Sequence, residues 1–235
     1  MIRAVLLDLD NTLLDFHLCA RQAMQQGFAQ VGLLYSEEKF ETFTQINNML
    51  WRQIEEGTLT KAELHRVRWQ IIFEALGIVY DGEAFEHIFF ENLCRSNVKI
   101  PGADALLEHL SRKKYLLAAA SNAAMHQQTG RLERAGLLRY FSHIFVSEEL
   151  GAQKPQKAFF DSCFSALCTD LPDLKPSEMI LIGDSLTADV AGGHAWGMQT
   201  IWFCPQAETE SDEDCALRGQ ADYTVHTLEE ICHIL

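Results

Sequence analysis

The chain has 235 residues, 48% hydrophobic and 22% charged, a composition that suits a globular protein with ample material for a core. Lys and Arg number 19 against 33 Asp and Glu, for a formal net charge of −14; so acidic a surface repels nucleic-acid backbone and anionic membrane and argues against both as partners. No apolar run approaches the roughly 18 residues that cross a bilayer, and the first apolar stretch is cut by Asp8 and Asp10, so it does not read as a signal peptide and a cytoplasmic protein is expected.

Residues 3–9 form a short β-favouring apolar run without helical periodicity, the pattern of a strand buried on both faces. From about residue 19 to residue 94 the pattern changes. Phe40, Phe43, Ile46, Leu50, Trp51 and Ile54 mark an amphipathic helix that stops near Gly57. Thr60 caps a second helix, with Leu64, Val67, Ile71 and Ala75 on one face and Gly77 after it. A third is predicted over about 83–95. No convincing strand interrupts this block, which therefore reads as a helical insertion.

Pro101–Gly102 opens an alternating pattern. Helices are predicted near 105–110, 127–135, 157–167 and 188–196, each followed by a strand, at 115–120, 143–146, 179–182 and 199–203. A last strand at 223–225 meets a C-terminal helix. Repeated βα units of this length imply a Rossmann-like α/β fold, a parallel sheet with helices on both faces. The expected division is a core of residues 1–15 and 98–235 carrying an all-helical domain of residues 16–97. Hinges are expected near Asp15–Phe16 and near Ile100, Pro101 and Gly102. The stretch 206–220, rich in Asp and Glu, is expected to be an exposed, mobile loop.

Open parallel sheets bind ligands outside the carboxyl ends of their strands. Here the first strand leads into Asp8-Leu-Asp10-Asn-Thr12 and the second into Ser121-Asn122. Lys154-Pro155 follows the third, and Gly183-Asp184-Ser185 ends the fourth, with Asp189 beyond. Together these groups suit phosphoryl transfer. A carboxylate can attack phosphorus, but two anions repel and a cation must bridge them. Asp8 and Asp184, with a backbone carbonyl near Asp10, offer the hard oxygen ligands that Mg²⁺ prefers, and Mn²⁺ or Co²⁺ are alternatives. Asp8 and Asp10 share a strand face, so Asp8 can be the nucleophile while Asp10 serves the leaving oxygen and the attacking water as acid and base. Ser121, Asn122 and nearby backbone N–H groups can hold phosphoryl oxygens, and Lys154 can neutralise charge on nucleophile and phosphate. Thr12 and Asp189 are expected to support the site from behind.

Singly, these motifs are weak. Paired Asp residues cap helices, Lys-Pro punctuates, and Gly-Asp-Ser is a common turn. Their joint occurrence at successive strand ends carries the reading. The seven cysteines make no C-x-x-C pair and read as core fillers. The histidines show no metal-ligand spacing.

In this order the motifs resemble those of the haloacid dehalogenase superfamily. Asp8-Leu-Asp10-Asn-Thr12-Leu-Leu is similar to its first motif, Ser121 to its second, Lys154 to its third and Gly183-Asp184-Ser-Leu-Thr-Ala-Asp189 to its fourth. The helical insertion is similar to the family's type 1 cap, a lid over the substrate. Ala123 stands where many relatives have Gly. The resemblance implies a phosphatase or phosphomutase rather than a dehalogenase, since a departing halide needs no proton and dehalogenases lack an acid at the position of Asp10. The cap stretch from Asn47 through Trp51 to Thr60, with Arg68-Trp69, resembles the bacterial pyrimidine 5'-nucleotidase branch. That implies a nucleoside monophosphate as the small-molecule phosphomonoester, recognised by Asn47, Trp51 and Arg68. Trp51 and Trp69 read equally as packing residues of a helical lid. The alternatives are a sugar phosphate, sialic acid 9-phosphate or phosphoglycolate phosphatase and, more remotely, a non-catalytic phosphate-binding protein.

Overall fold

The run Ala4–Leu7 forms strand β1, with all four residues buried. In this computed structural model, which describes residues 1–205 and 216–235, β1 is an inner strand of a six-stranded sheet. Its partners are β2 (Leu116–Ser121), β3 (His143–Val146), β4 (Met179–Gly183), β5 (Gln199–Phe203) and β6 (Tyr223–Val225), in the order β3-β2-β1-β4-β5-β6. Every pairing is parallel. Leu7 lies opposite both Ala119 of β2 and Ile182 of β4.

Alternation sorts these strands into two cores. Val5, Leu7, Leu117, Ala119, Ile180 and Ile182 point to one face, against helix α5 (Ala103–Arg112), helix α6 (Met125–Arg134) and the C-terminal helix Leu228–Ile234. Ala4, Leu6, Ala118, Ala120 and Leu181 point to the other, where Phe159, Phe160, Cys163 and Leu167 of helix α8 (Lys157–Asp170) cover them. A short helix, α7 (Ser147–Leu150), follows β3. Burial on both faces explains why the inner strands β1, β2 and β4 are apolar almost throughout rather than alternating. The sheet order reverses direction between β1 and β4, and a crevice opens at the carboxyl ends of such a pair. Those ends carry Asp8 and Asp184.

The predicted helix at 188–196 divides in two. Leu186–Ala191 forms a π-helical turn, and α9 (Gly192–Trp196) follows it. The N–H groups of Asp189 and Val190 both donate to the Ser185 carbonyl, at 3.0 and 3.1 Å, which widens the turn. Such turns recur at functional sites.

The second unit, Phe16–Asn97, is helical; the first comprises Met1–Asp15 and Val98–Leu235. Helices α2 (Glu37–Glu55), α3 (Lys61–Ala75) and α4 (Gly82–Cys94) correspond to the three read from periodicity. Thr60 and Glu63 close a capping box at the start of α3. A further helix, α1 (Phe16–Gln30), is new. Its buried stripe consists largely of Cys19, Ala20, Ala23 and Gly27, small residues that give periodicity little to register. The unit's core is aromatic. Trp69 is fully buried, its ring 4.4 Å from that of Phe85, 5.1 Å from Phe89 and 5.4 Å from Phe43.

Residues 206–215 of the acidic stretch lie outside the described residues. Its end corrects the expectation of an exposed loop: Leu217 packs against a cluster containing Leu186, Val190 and Trp202, and the Arg218 guanidinium lies 4.8 Å from the Trp202 ring centroid. Among the described residues no helix is long and apolar enough to cross a membrane.

Candidate active site

The ladder between β1 and β4 continues one step past β1, where the Asp8 N–H donates to the Ile182 carbonyl at 2.8 Å. This fixes the backbone of Asp8, whose side chain is buried. Asn11, with φ of 60°, then turns the chain back, and its N–H donates to the Leu14 carbonyl at 2.7 Å. Asn is among the few residues other than Gly that adopt this left-handed conformation readily.

Lys154, 2% exposed, joins the two ends of the site. Its Nζ donates to Asp8 Oδ1 at 2.7 Å and to Asp189 Oδ1 at 2.6 Å. Asp189 reaches that position because the π-helical turn brings its carboxylate back over the chain, where the Ser185 N–H donates to its Oδ2 at 3.2 Å. Gly183 permits the fold-back, since a Cβ there would collide with the Asp189 carboxylate. The main chain of Asp184 is held from β5, where the Trp202 indole N–H donates to its carbonyl at 2.9 Å.

Asp8, Asp184 and Asp189 each bring a carboxylate oxygen to within 4.8 Å of those of the other two. Three carboxylates face one ammonium. Burial pushes the Asp8 carboxyl up to about 7, and the Asp189 charge adds to the rise while Lys154 opposes it. Burial, followed by the charges of Asp8 and Asp189, likewise holds Asp184 well above the carboxylate range. Burial also lowers Lys154, but the two carboxylates beside it more than reverse this and raise it. The excess negative charge and the all-oxygen donor set fit a hard divalent cation. Asp189, expected behind the site, thus stands in the carboxylate cluster, whereas the carboxylate of Asp10, near enough for its charge to raise Asp8 and Asp184, is bonded to residues of α6.

The Asp10 carboxylate pairs with Arg131, and Gln128 Nε2 donates to its Oδ2 at 2.6 Å. Ser121, buried at the end of β2, accepts from Gln128 Nε2 at 2.8 Å and from the Ala123 N–H at 3.2 Å. Its own O–H can then be donated. The Asn122 side chain clamps the lysine loop, with its Nδ2 donating to the Lys154 carbonyl and its Oδ1 accepting from the Lys154 N–H, both at 2.9 Å, and so it orients the lysine. Thr12 is fully buried, and its hydroxyl has no hydrogen-bond partner among the described residues.

In the helical unit, Asn47 and Arg68 are both buried. Arg68 donates to both carboxylate oxygens of Glu86, at 3.1 and 2.5 Å, and to Asn47 Oδ1 at 3.0 Å. Burial pushes the Glu86 carboxyl up, but Arg68 and His65 outweigh it and hold the group below its usual range. These bonds tie both residues into the unit itself, and Trp51 is half-buried beside Leu50, Ile54 and Leu64.

Gln128 and Arg131 escaped the sequence reading because a stretch of Gln, Thr, Gly and Arg looks like a solvated face. Their spacing with Leu132 and Ala135 was the available signal, since all four fall on one helical stripe and the latter two are buried.

Comparison with known proteins adds four findings. A sequence profile of the haloacid dehalogenase-like hydrolases matches residues 2–197. The chain is 32% identical to YfnB of Bacillus subtilis (strain 168), covering 99% of this chain and 95% of that protein. It is 33% identical to the pyrimidine 5'-nucleotidase PynA of Streptococcus pneumoniae, over 98% and 94%. The solved structure of YfnB, described as bound to magnesium and revealing interdomain movement, superposes with a TM-score of 0.89 and covers 100% of this chain and 98% of that one.

Proposed function

The chain belongs to the haloacid dehalogenase-like hydrolases, and from that premise we propose that it is a Mg²⁺-dependent phosphatase acting through an aspartyl phosphate on Asp8. The observation that carries this reading is the buried contact of Lys154 Nζ with Asp8 and Asp189, beside Asp184. It supports the reading because an ammonium beside the Asp8 carboxylate can balance the charge of an incoming phosphoryl group.

In the first step an Asp8 oxygen bonds to phosphorus, the bond from phosphorus to the leaving oxygen breaks, and Asp10 gives that oxygen its proton. In the second, a water oxygen bonds to phosphorus while its proton passes to Asp10. The Asp8–phosphorus bond breaks, and inorganic phosphate leaves. Ser121 and Lys154 hold the phosphoryl oxygens. Asp8 and Asp184, with the carbonyl of Asp10 and support from Asp189, would hold the cation, which supplies charge neutralisation between nucleophile and phosphate. Asp10 is what suits the chain to an alcohol leaving group, because an alkoxide needs a proton and a halide does not.

For the substrate, a nucleoside 5'-monophosphate is the reading supported by the similarity to PynA and, at 27% identity over 98% of this chain, to the pyrimidine 5'-nucleotidase YjjG of Escherichia coli. Residues 16–97 act as a lid whose closure excludes water, with Trp51 as a substrate contact. Asn47 and Arg68, tied to Glu86, act by holding the lid's shape. A sugar phosphate is the second reading, favoured by 30% identity over the whole chain to a ribulose-1,5-bisphosphate 5-phosphatase of Halopiger xanaduensis. Comparing kcat/KM for UMP, dUMP and dTMP with that for sugar phosphates, in Mg²⁺, separates the two. Nucleotides are expected to lead by roughly ten-fold or more; sugar phosphates in the lead would reverse the assignment.

A further inference from the structure

Helix α6 directs two fully buried polar side chains, Gln128 and Arg131, at one carboxylate. Arg131 pairs with Asp10 Oδ1, and Gln128 Nε2 donates to Oδ2 at 2.6 Å. The same Gln128 amide donates to Ser121 Oγ at 2.8 Å, while its carbonyl accepts from Arg131 Nη1 at 3.2 Å. We infer that Arg131 and Gln128 are positioning residues for Asp10, gripping both of its oxygens and tying their place to the serine that holds phosphate.

Three observations support this. First, α6 is already anchored to the sheet by Leu132, so packing does not demand a guanidinium; a buried ion pair is weak evidence for stability alone. Second, the amide–NH₂ of Gln128 has two hydrogens, and the structure places one toward the group that must move a proton and one toward the phosphate site. Third, a carboxylate bonded at both oxygens cannot rotate, and displacing a reacting group by about 1 Å can lower a rate roughly a hundred-fold.

The inference rests on the reading of Asp10 as acid and base, so the test treats the two separately. With p-nitrophenyl phosphate the leaving phenolate needs little protonation, and forming the Asp8 phosphate barely requires Asp10. Hydrolysing it does require Asp10 as base. Rapid mixing of Asp10→Asn and Arg131→Gln with this substrate and Mg²⁺ should give, for both, a stoichiometric burst of p-nitrophenolate followed by turnover slowed roughly ten-fold or more. Arg131→Lys should recover part of the lost rate. A purely structural role would shrink burst and turnover together with the folded fraction measured by circular dichroism, and that pattern, or wild-type kinetics in Arg131→Gln beside a bursting Asp10→Asn, overturns the inference. Wild-type turnover in Asp10→Asn removes its premise as well. Should Arg131→Gln not fold, Gln128→Met, which keeps the volume and removes the amide, is read in the same way.

Discussion

At the scale of single residues, the site sets one buried ammonium among three carboxylates, and each group has a testable part. Asp8→Asn keeps the shape and a hydrogen-bond acceptor for Lys154 but removes the nucleophile. Turnover should fall by roughly 10⁴-fold or more with the fold retained; substantial residual activity in a cleanly folded protein would move the nucleophile elsewhere. Asp8 and Asp184 were legible in the sequence because each follows a run of apolar strand residues, where a charge stands out, whereas Lys154, beyond the helix after β3, and Asp189, inside the π-helical turn, were legible only by their order behind those strands. Gln128, Arg131 and the Trp202 indole behind Asp184 were not, because they reach the site from a helix and a strand whose local patterns carry no mark of it. Asn122 was legible as a site residue, but its two-point clamp on the Lys154 backbone appears only when β2 and the loop after β3 are brought side by side.

At the scale of elements, strand positions were the most readable feature, since β3, β5 and β6 coincide with the predicted runs. Apolar runs between turn residues have few alternatives in a parallel sheet. Helix α1 was hidden by its small buried residues, and the π-helical turn by a sequence that suits an ordinary helix equally well. That turn is where Gly183 matters. Gly183→Ala sets a methyl group against the Asp189 carboxylate, and overpacking of this kind costs about 1–3 kcal/mol. A lower melting temperature together with a lower kcat is expected. A variant of unchanged stability and activity would mean that the turn relaxes without moving Asp189.

At the scale of the whole molecule, the composition carried the class of protein and the acidity carried a problem, since a chain of net charge −14 must still attract an anionic substrate. The site compounds the problem by burying carboxylates together. Asp8, raised to about 7, keeps a proton in the folded state that the unfolded chain has released. This contribution therefore loses stability as pH rises from the ordinary carboxylate range toward 7. Divalent metal binds the deprotonated form and should relieve the repulsion that develops. Mg²⁺ is accordingly expected to raise the melting temperature more at about pH 7.5 than at about pH 5.5. A larger rise at the lower pH would contradict the assignment of these carboxylates to the cation.

The bond from the Trp202 indole to the Asp184 carbonyl gives the protein a built-in optical reporter. Trp202 is one of four tryptophans, is nearly buried, and is bonded to the backbone of a residue assigned to the cation. Loading the site should alter the field at that ring, so intrinsic emission should change along a saturable curve as Mg²⁺ is added to stripped protein. Trp202→Phe should silence that signal. Occupancy could then be followed by light alone, with no substrate in the cuvette, and metal affinity measured apart from turnover.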